Sequence, residues 1–164
     1  MSKFVLDANI FIEAYHRYYS FDIVPSFWVL LKKKISSGDL ISIDRVYEEI
    51  NKFNKDDELK NWVCTEACDC FIPSNDNAVI EEYRKIMKWA MSQNQFIQAA
   101  KNEFANVADA WLIAFAKVYK YTLVTHEELK PGVRRKIPIP NVCKVFNVPY
   151  INTFEMMRQL EFKI

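Results

Sequence analysis

The stretch Phe-Val-Leu-Asp-Ala-Asn-Ile-Phe-Ile at positions 4–12 decides the fold class. Its first three residues form a short apolar run that ends abruptly at Asp7, which is the pattern of a strand buried inside a domain. Asn9 is placed to cap a helix that begins at Ile10. The stretch therefore predicts the opening strand and helix of an α/β domain.

The same alternation of strands and helices continues along the chain. Apolar runs predict further strands at 40–43 and 122–125, with shorter ones at 70–72 and 150–151. Helical patterns are found at 22–36, after Asp44, at 56–67, 76–92, 105–119 and 141–146, and from Thr153 onward. We expect one α/β domain over residues 1–164, with a central, mostly parallel sheet flanked by helices.

Composition excludes several kinds of site. The chain has 164 residues, which suits one domain, and only two glycines, which excludes a dinucleotide fingerprint and a P-loop. Two histidines exclude a multi-histidine zinc site. Lys and Arg total 22 and Asp and Glu total 21, so the net charge of +1 shows no strongly basic surface, although a local patch can hide in that sum.

The N-terminal sequence and the cysteines bear on the compartment. An acid at position 7, inside the first apolar run, does not fit a signal peptide, and no apolar stretch has the length of a membrane span. Four cysteines occur, at positions 64, 68, 70 and 143, and we interpret them as reduced thiols. We therefore expect a cytoplasmic protein with no membrane partner.

Three acids are predicted to lie at one edge of the sheet. Asp7 ends the first strand, and Glu127 follows the strand at 122–125 by two residues. Glu49 lies three residues after Val46 and four before Phe53, so it borders the buried stripe of its helix. Because the carboxyl ends of parallel strands meet at one edge, where ligands bind, we expect these three side chains to face the same place.

Asp109 is a fourth candidate, because it is predicted inside the apolar helix at 105–119. A buried carboxylate must find a cation, a metal ion or hydrogen-bond donors. Four carboxylates in one place would raise each other's pKa values, and oxygen-binding Mg²⁺ or Mn²⁺ would remove that conflict. Each acid also has a structural interpretation: a helix cap for Asp7, a surface residue for Glu49, a lysine partner for Asp109 and a solvated loop acid for Glu127.

Four short segments together resemble the PIN-domain superfamily. They occur in the family's order at positions 4–12, 46–50, 108–116 and 123–127. More narrowly, Tyr-Tyr-Ser-Phe-Asp-Ile-Val-Pro-Ser-Phe-Trp at 18–28 and Ile-Pro-Asn-Val-Cys at 139–143 are similar to an uncharacterised PIN-like subgroup of prokaryotic proteins. The resemblance extends over nearly the whole chain.

This resemblance implies a set of site residues. By position, it assigns catalysis and metal binding to four acids: Asp7, Glu49, Asp109 and Glu127. Glu127 stands where many PIN domains have an aspartate, two residues after Thr125, and the resemblance gives Thr125 a supporting role. Asn9 matches a position that often orients the first acid, whereas His126 departs from the common pattern and receives no role.

PIN domains are Mg²⁺- or Mn²⁺-dependent ribonucleases, and many prokaryotic ones are toxins. The resemblance therefore implies a metal-dependent endoribonuclease that hydrolyses RNA phosphodiesters, acting as the toxin of a type II toxin–antitoxin pair. Its partners would be RNA and a protein antitoxin encoded nearby, and pairing of two copies stays open.

Two alternatives to the ribonuclease stay open. A haloacid-dehalogenase-like phosphatase would use Asp7 as nucleophile, but such enzymes have a second aspartate where this chain has Asn9. A PIN-like module that has lost catalysis would instead act by binding protein or RNA.

A cluster of basic residues follows Glu127. It consists of Lys130, Arg134, Arg135 and Lys136. A basic loop beside a metal site could hold RNA phosphates, and a solvated loop explains the same residues equally well.

Overall fold

The structure, a computed structural model, describes residues 3–53 and 57–164. Its strands are β1 (Phe4–Leu6), β2 (Leu40–Ile43), β3 (Phe71–Ile72), β4 (Thr122–Val124) and β5 (Tyr150–Ile151). They form one five-stranded sheet in the order β3-β2-β1-β4-β5, and every pairing is parallel. The predicted α/β fold with a mostly parallel sheet is confirmed.

The helices lie between these strands and after the last one. They are α1 (Ala8–Glu13), α2 (Pro25–Ser36), α3 (Asp44–Phe53), α4 (Asp57–Glu66), α5 (Asn77–Ser92), α6 (Gln98–Asn106), α7 (Asp109–Tyr119), α8 (Ile139–Phe146) and α9 (Thr153–Gln159). A π-helical turn at Ala14–Tyr18 continues α1, and a 3₁₀ turn at Cys68–Cys70 precedes β3. In the ranges that the structure describes, every helix is too short or too polar to cross a bilayer.

The core is built around β1, the central strand. Phe4, Val5 and Leu6 are at most 1% exposed, as expected for a parallel strand that is covered on both faces. Helix α7 is apolar nearly all round and buries most of its length, and α5 packs against it. In that contact the rings of Tyr83 and Trp111 stack with centroids 3.8 Å apart and planes 10° apart.

The predicted helix at 105–119 is wrong at its start. Helix α6 ends at Asn106 and α7 begins at Asp109, with Val107 extended between them (φ −107°, ψ 171°). The backbone N–H of Ala108 donates to Oε1 of Glu49, 2.6 Å away, instead of continuing a helix. Asp109 is therefore the first residue of α7 and does not lie inside an apolar helix.

Two other predicted details change, and the sequence patterns miss one helix. Asn9 does not cap α1, because the helix already begins at Ala8 and Asn9 lies in its first turn. The helix expected from residue 22 begins at Pro25, whose fixed φ suits the first helical turn. The missed helix is α6, for which the sequence patterns predict no separate element. The start of the helix expected from Asp56 and the side chain of Phe53 lie outside the described residues.

The register of the central strands aligns their carboxyl ends. Leu6 pairs with Val124, and Val124 pairs with Ile151, so the residues that follow these strands are neighbours. The N–H of Asp7 donates to the Val124 carbonyl at 3.1 Å. The buried hydroxyl of Ser42 donates to the Leu6 carbonyl at 2.6 Å, which joins β2 to the last residue of β1.

We expect Ser42→Ala to lower the free energy of unfolding by about 1–2 kcal/mol, because the Leu6 carbonyl loses this buried donor. Urea unfolding measures the effect. The matched control is Ser37→Ala, since the Ser37 hydroxyl bonds to Lys34 and Asp39 at an exposed site and its loss should cost less than about 0.5 kcal/mol. Equal stability of the two variants would show that the Ser42 bond contributes nothing.

Candidate active site

Thr125 joins two of the predicted acids at the end of the sheet. Its hydroxyl donates to Oδ2 of Asp7 at 3.3 Å and accepts the N–H of Glu127 at 3.1 Å. Asp7 is 3% exposed and Thr125 is 1% exposed, so this contact lies at the bottom of the site. Thr125, to which the sequence assigns a supporting role, therefore holds the carboxylate of Asp7 and the backbone of Glu127.

The structure brings the four predicted acids into one cavity of about 510 Å³. Its lining includes Asp7, Glu49, Asp109 and Glu127, together with Asn9. Each acid comes from a different part of the chain: the end of β1, the third helix, the start of α7 and the loop after β4. The cavity therefore exists only because the parallel register places these elements side by side.

Burial and mutual repulsion perturb the acids. Burial, followed by the charges of Glu127 and Glu49, raises the pKa of Asp7 to about 7. Burial and the charges of the other three acids raise the pKa of Asp109 well above its usual range, although Lys136 opposes this. Burial also raises the pKa of Glu49, against the N–H of Ala108 and the charge of Lys52. Burial and repulsion therefore both favour the protonated forms of Asp7 and Asp109.

Two of the acids are held by backbone amides at helix starts. Oε1 of Glu49 accepts from the Ala108 N–H just before α7, and Oε1 of Glu127 accepts from the N–H of Ile139, the first residue of α8, at 3.3 Å. The first amides of a helix have no partner within the helix and carry partial positive charge. Both carboxylates are therefore oriented by the fold.

Lys136 belongs to the acidic cavity. Its Nζ lies 3.4 Å from Oε1 of Glu127, and the side chain lines the cavity wall. Burial lowers its pKa, but the charges of Glu127, Asp109 and Glu103 outweigh that effect and raise it. Lys136 stays protonated and offsets part of the negative charge.

The other basic residues of the cluster occupy different places. Lys130 lines a smaller hollow of about 210 Å³ beside the acidic cavity, which it shares with Lys136. Arg134 and Arg135 are exposed on the same loop. Nε2 of Gln95 donates to the carbonyls of Pro131 and Val133 at 2.8 and 2.7 Å, which fixes the loop against the body of the protein.

Three further polar residues line the acidic cavity: Lys52, Glu103 and Asn106. The last two come from α6, whose signal is the spacing of four between Phe96, Ala100 and Phe104, all buried. His126 does not line this cavity; its Nε2 lies 3.1 Å from the Thr153 hydroxyl, and burial lowers its pKa.

The cavity fits a hard divalent cation in its chemistry. Its donors are the oxygens of four carboxylates, of which Asp7 and Asp109 are the most strongly perturbed by burial and repulsion, and such oxygens suit Mg²⁺ or Mn²⁺. Among the residues with described positions, no three acidic, histidine or cysteine side chains form a ready-made metal cluster. Bound metal would therefore require these side chains to draw closer together.

The fold is PIN-like, as the sequence predicted. The chain belongs to the family described as Domain of unknown function (DUF4411), whose model matches residues 4–164. It is similar in structure to FitAB bound to an IR36 DNA fragment, with a TM-score of 0.55, 18% identity and coverage of 91% of this chain and 94% of the other.

A second similar structure is FitAcB from Neisseria gonorrhoeae, with a TM-score of 0.55 and 18% identity. That match covers 92% of this chain and 98% of the other. No curated protein matches the chain significantly. At this level of identity the likenesses establish the fold.

The raised pKa of Asp7 predicts how stability depends on pH. A folded-state value of about 7 lies above the unfolded value near 4, so the native state binds more protons between these two pH values and stability falls as pH rises through that window. We expect Asp7→Asn, in chelator, to match the wild type near pH 4 and to be more stable at pH 8.

Urea unfolding at the two pH values measures this difference, with Asp22→Asn, a change at an exposed aspartate, as the matched control. The control should follow the wild type at both pH values. An Asp7→Asn protein that is no more stable than the wild type at pH 8 would show that Asp7 is not under electrostatic strain.

Proposed function

We propose that this protein is a metal-dependent endoribonuclease that hydrolyses RNA phosphodiesters with Mg²⁺ or Mn²⁺. The observation that carries the proposal is the meeting of four carboxylates in one cavity at the carboxyl edge of a PIN-like sheet. An acidic cavity cannot attract a phosphodiester by itself, because both are negative. A divalent cation held by the carboxylates would attract the phosphate and offset the charge that develops on it.

Asp7, Glu49 and Asp109 would hold the ion, and Glu127 would assist them. When bound, the ion would lower the pKa of a coordinated water and offset the charge that develops on the phosphate. Thr125 fixes Asp7 through its hydroxyl, and the Ala108 N–H fixes Glu49. Nζ of Lys136 lies 3.4 Å from Oε1 of Glu127. It would be placed to bind a phosphate oxygen once a bound ion offsets part of the charge of the carboxylates.

The phosphatase alternative is less well supported by the same cavity. It requires an acid two residues after Asp7 to protonate the leaving group, and Asn9 lines the cavity at that position. An amide has no proton to transfer in this way. The proposed nuclease needs no such acid at position 9, because an ion held by the carboxylates would supply the acidity that activates water and would offset the charge on the leaving oxygen.

We further propose that the protein is the toxin of a type II toxin–antitoxin pair in the cytoplasm. The support is the similarity of its fold to FitB, a PIN-domain toxin, in FitAB and FitAcB. In this proposal a small protein antitoxin encoded nearby binds the chain.

Purified protein should cleave a labelled single-stranded RNA in Mn²⁺ and lose this activity in EDTA. Asp7→Asn and Asp109→Asn should each reduce the rate more than about 100-fold, because each removes a ligand charge. Asp22→Asn is the matched control and should cleave normally. Gel analysis of cleavage products measures the rate, and Mn²⁺ should raise the thermal unfolding midpoint of the wild type more than that of Asp7→Asn.

Three outcomes would contradict the nuclease. Activity on phosphomonoesters but not RNA would favour the phosphatase. RNA binding without cleavage at saturating Mn²⁺ would favour the inactive module. Cleavage that persists in EDTA and in Asp7→Asn would place the activity outside this cavity or in a contaminant.

Expression of the chain without an antitoxin should arrest bacterial growth, because uncontrolled RNA cleavage stops translation. Asp109→Asn should restore growth to that of an empty vector at equal protein level, as judged by growth curves and immunoblots. Asp22→Asn should arrest growth like the wild type. If Asp109→Asn arrests cells as strongly as the wild type, catalysis is not the cause of arrest.

A further inference from the structure

Arg45 is held over an aromatic stack on the wall beside the acidic cavity. The carbon at the centre of its guanidinium lies 3.7 Å from the centroid of the Trp111 ring. Trp111 in turn stacks on Tyr83 across the contact between α7 and α5. Such a stack restrains the planar guanidinium at little entropic cost, so it is prepared to bind an anion.

The guanidinium has unused hydrogen-bonding capacity. Nε of Arg45 is buried, and among the residues that the structure describes it finds no acceptor. Buried donors in native proteins nearly always have a partner, so an unpaired one indicates a ligand, a water or an ion. Stacking on Trp111 satisfies the apolar face of the group but not its N–H bonds.

A small cavity of about 80 Å³ opens beside Arg45. Its lining includes Arg45, Lys52, Asn106 and Trp111, and also the acids Glu48 and Glu49. Oε1 of Glu49 is already bonded to the Ala108 N–H. Glu49, Lys52 and Asn106 line the acidic cavity as well, so the two spaces adjoin.

Cations therefore lie beside two different carboxylates. Arg45 and Lys52 line the small cavity, which adjoins the acidic cavity at Glu49, and Lys130 and Lys136 line the hollow that adjoins it at Glu127. A small phosphoester has one phosphate and needs one such group. Cations at two places along the acidic cavity suit a polymer whose phosphates continue past the bond that is cut. Since Asp7 is only 3% exposed, the RNA must bend into the cavity to reach it, and a single-stranded RNA bends readily.

We propose that Arg45 binds a backbone phosphate of single-stranded RNA next to the phosphate that is cleaved, with Trp111 as the residue that positions it. This inference rests on the proposed nuclease function and names one contact of its substrate. Lys52 lies at the rim of the same small cavity. The contact carries no base specificity, because phosphates are the same at every position.

Fluorescence anisotropy with a labelled single-stranded RNA tests this proposal in the Asp7→Asn background, where the RNA stays intact. Arg45→Gln should weaken binding about five-fold and reduce the slope of log K against log salt by about 0.7, the value for one phosphate contact on a single strand. Arg45→Lys should keep the slope and lose less affinity, because the charge remains. Arg84→Gln, a matched change at an exposed arginine paired with Glu81, should alter neither.

A second uncharged variant tests whether the effect of Arg45→Gln arises from misfolding. Arg45→Met keeps an apolar stem against Trp111 and should give the same change in slope as Arg45→Gln. In the cleavage assay with otherwise wild-type protein, Arg45→Gln should raise KM about five-fold with kcat within about two-fold. A single-stranded DNA of the same sequence should show the same loss, since the phosphate is shared.

The outcomes separate the two proposals. If the wild type cleaves RNA and Arg45→Gln and Arg45→Met bind with unchanged slope, the Arg45 contact is wrong and the nuclease stands. An equal loss in Arg84→Gln also overturns the contact, because it shows only a general effect of charge. If the wild type does not cleave RNA and the Asp7→Asn protein does not bind it, the nuclease function and the contact both fail.

Discussion

The parallel pairing of β1 with β4, and of β4 with β5, is the constraint on which the site depends. Leu6, Val124 and Ile151 lie in one register, so the chain leaves all three strands at the same level. Asp7 then meets Thr125 at hydrogen-bond distance, although 118 residues separate them along the chain. A shift of one residue in this pairing would turn every side chain of β1 to the opposite face and remove Asp7 from the cavity.

The same register creates an electrostatic cost that the surrounding structure partly offsets. Burial and repulsion both favour the protonated forms of Asp7 and Asp109. The chain places neutral or cationic donors against the acids: the Thr125 hydroxyl, the Ala108 and Ile139 amides, and the ammonium group of Lys136. These donors orient the carboxylates without neutralising all of them. Such residual strain is typical of sites kept for binding or chemistry, since a merely stable fold would replace the acids.

The sequence was informative where a single residue follows an apolar run. The acids at 7 and 127 were predicted to share an edge because strand ends are visible in the pattern and parallel sheets align them. The break between α6 and α7 was not predicted, because it depends on Glu49, 59 residues earlier, which accepts the Ala108 N–H. Lys136 was placed in a basic loop, since no local pattern shows that the loop folds back onto Glu127.

Arg45 shows why the surroundings of the cavity were harder to predict than its centre. On the sequence it is one charged residue in the first turn of a helix, next to Asp44, and nothing there distinguishes it from a solvated arginine. Its environment arises from Trp111 and Tyr83, which belong to two other helices and come together only through the packing of α5 on α7. The net charge of +1 hides this arrangement, because the acids of the cavity and the cations beside them cancel in the sum. A charge total therefore says little about a site in which acids and cations lie together. Under the proposed function, the cations beside the acids are what favour a polymer substrate over a small one.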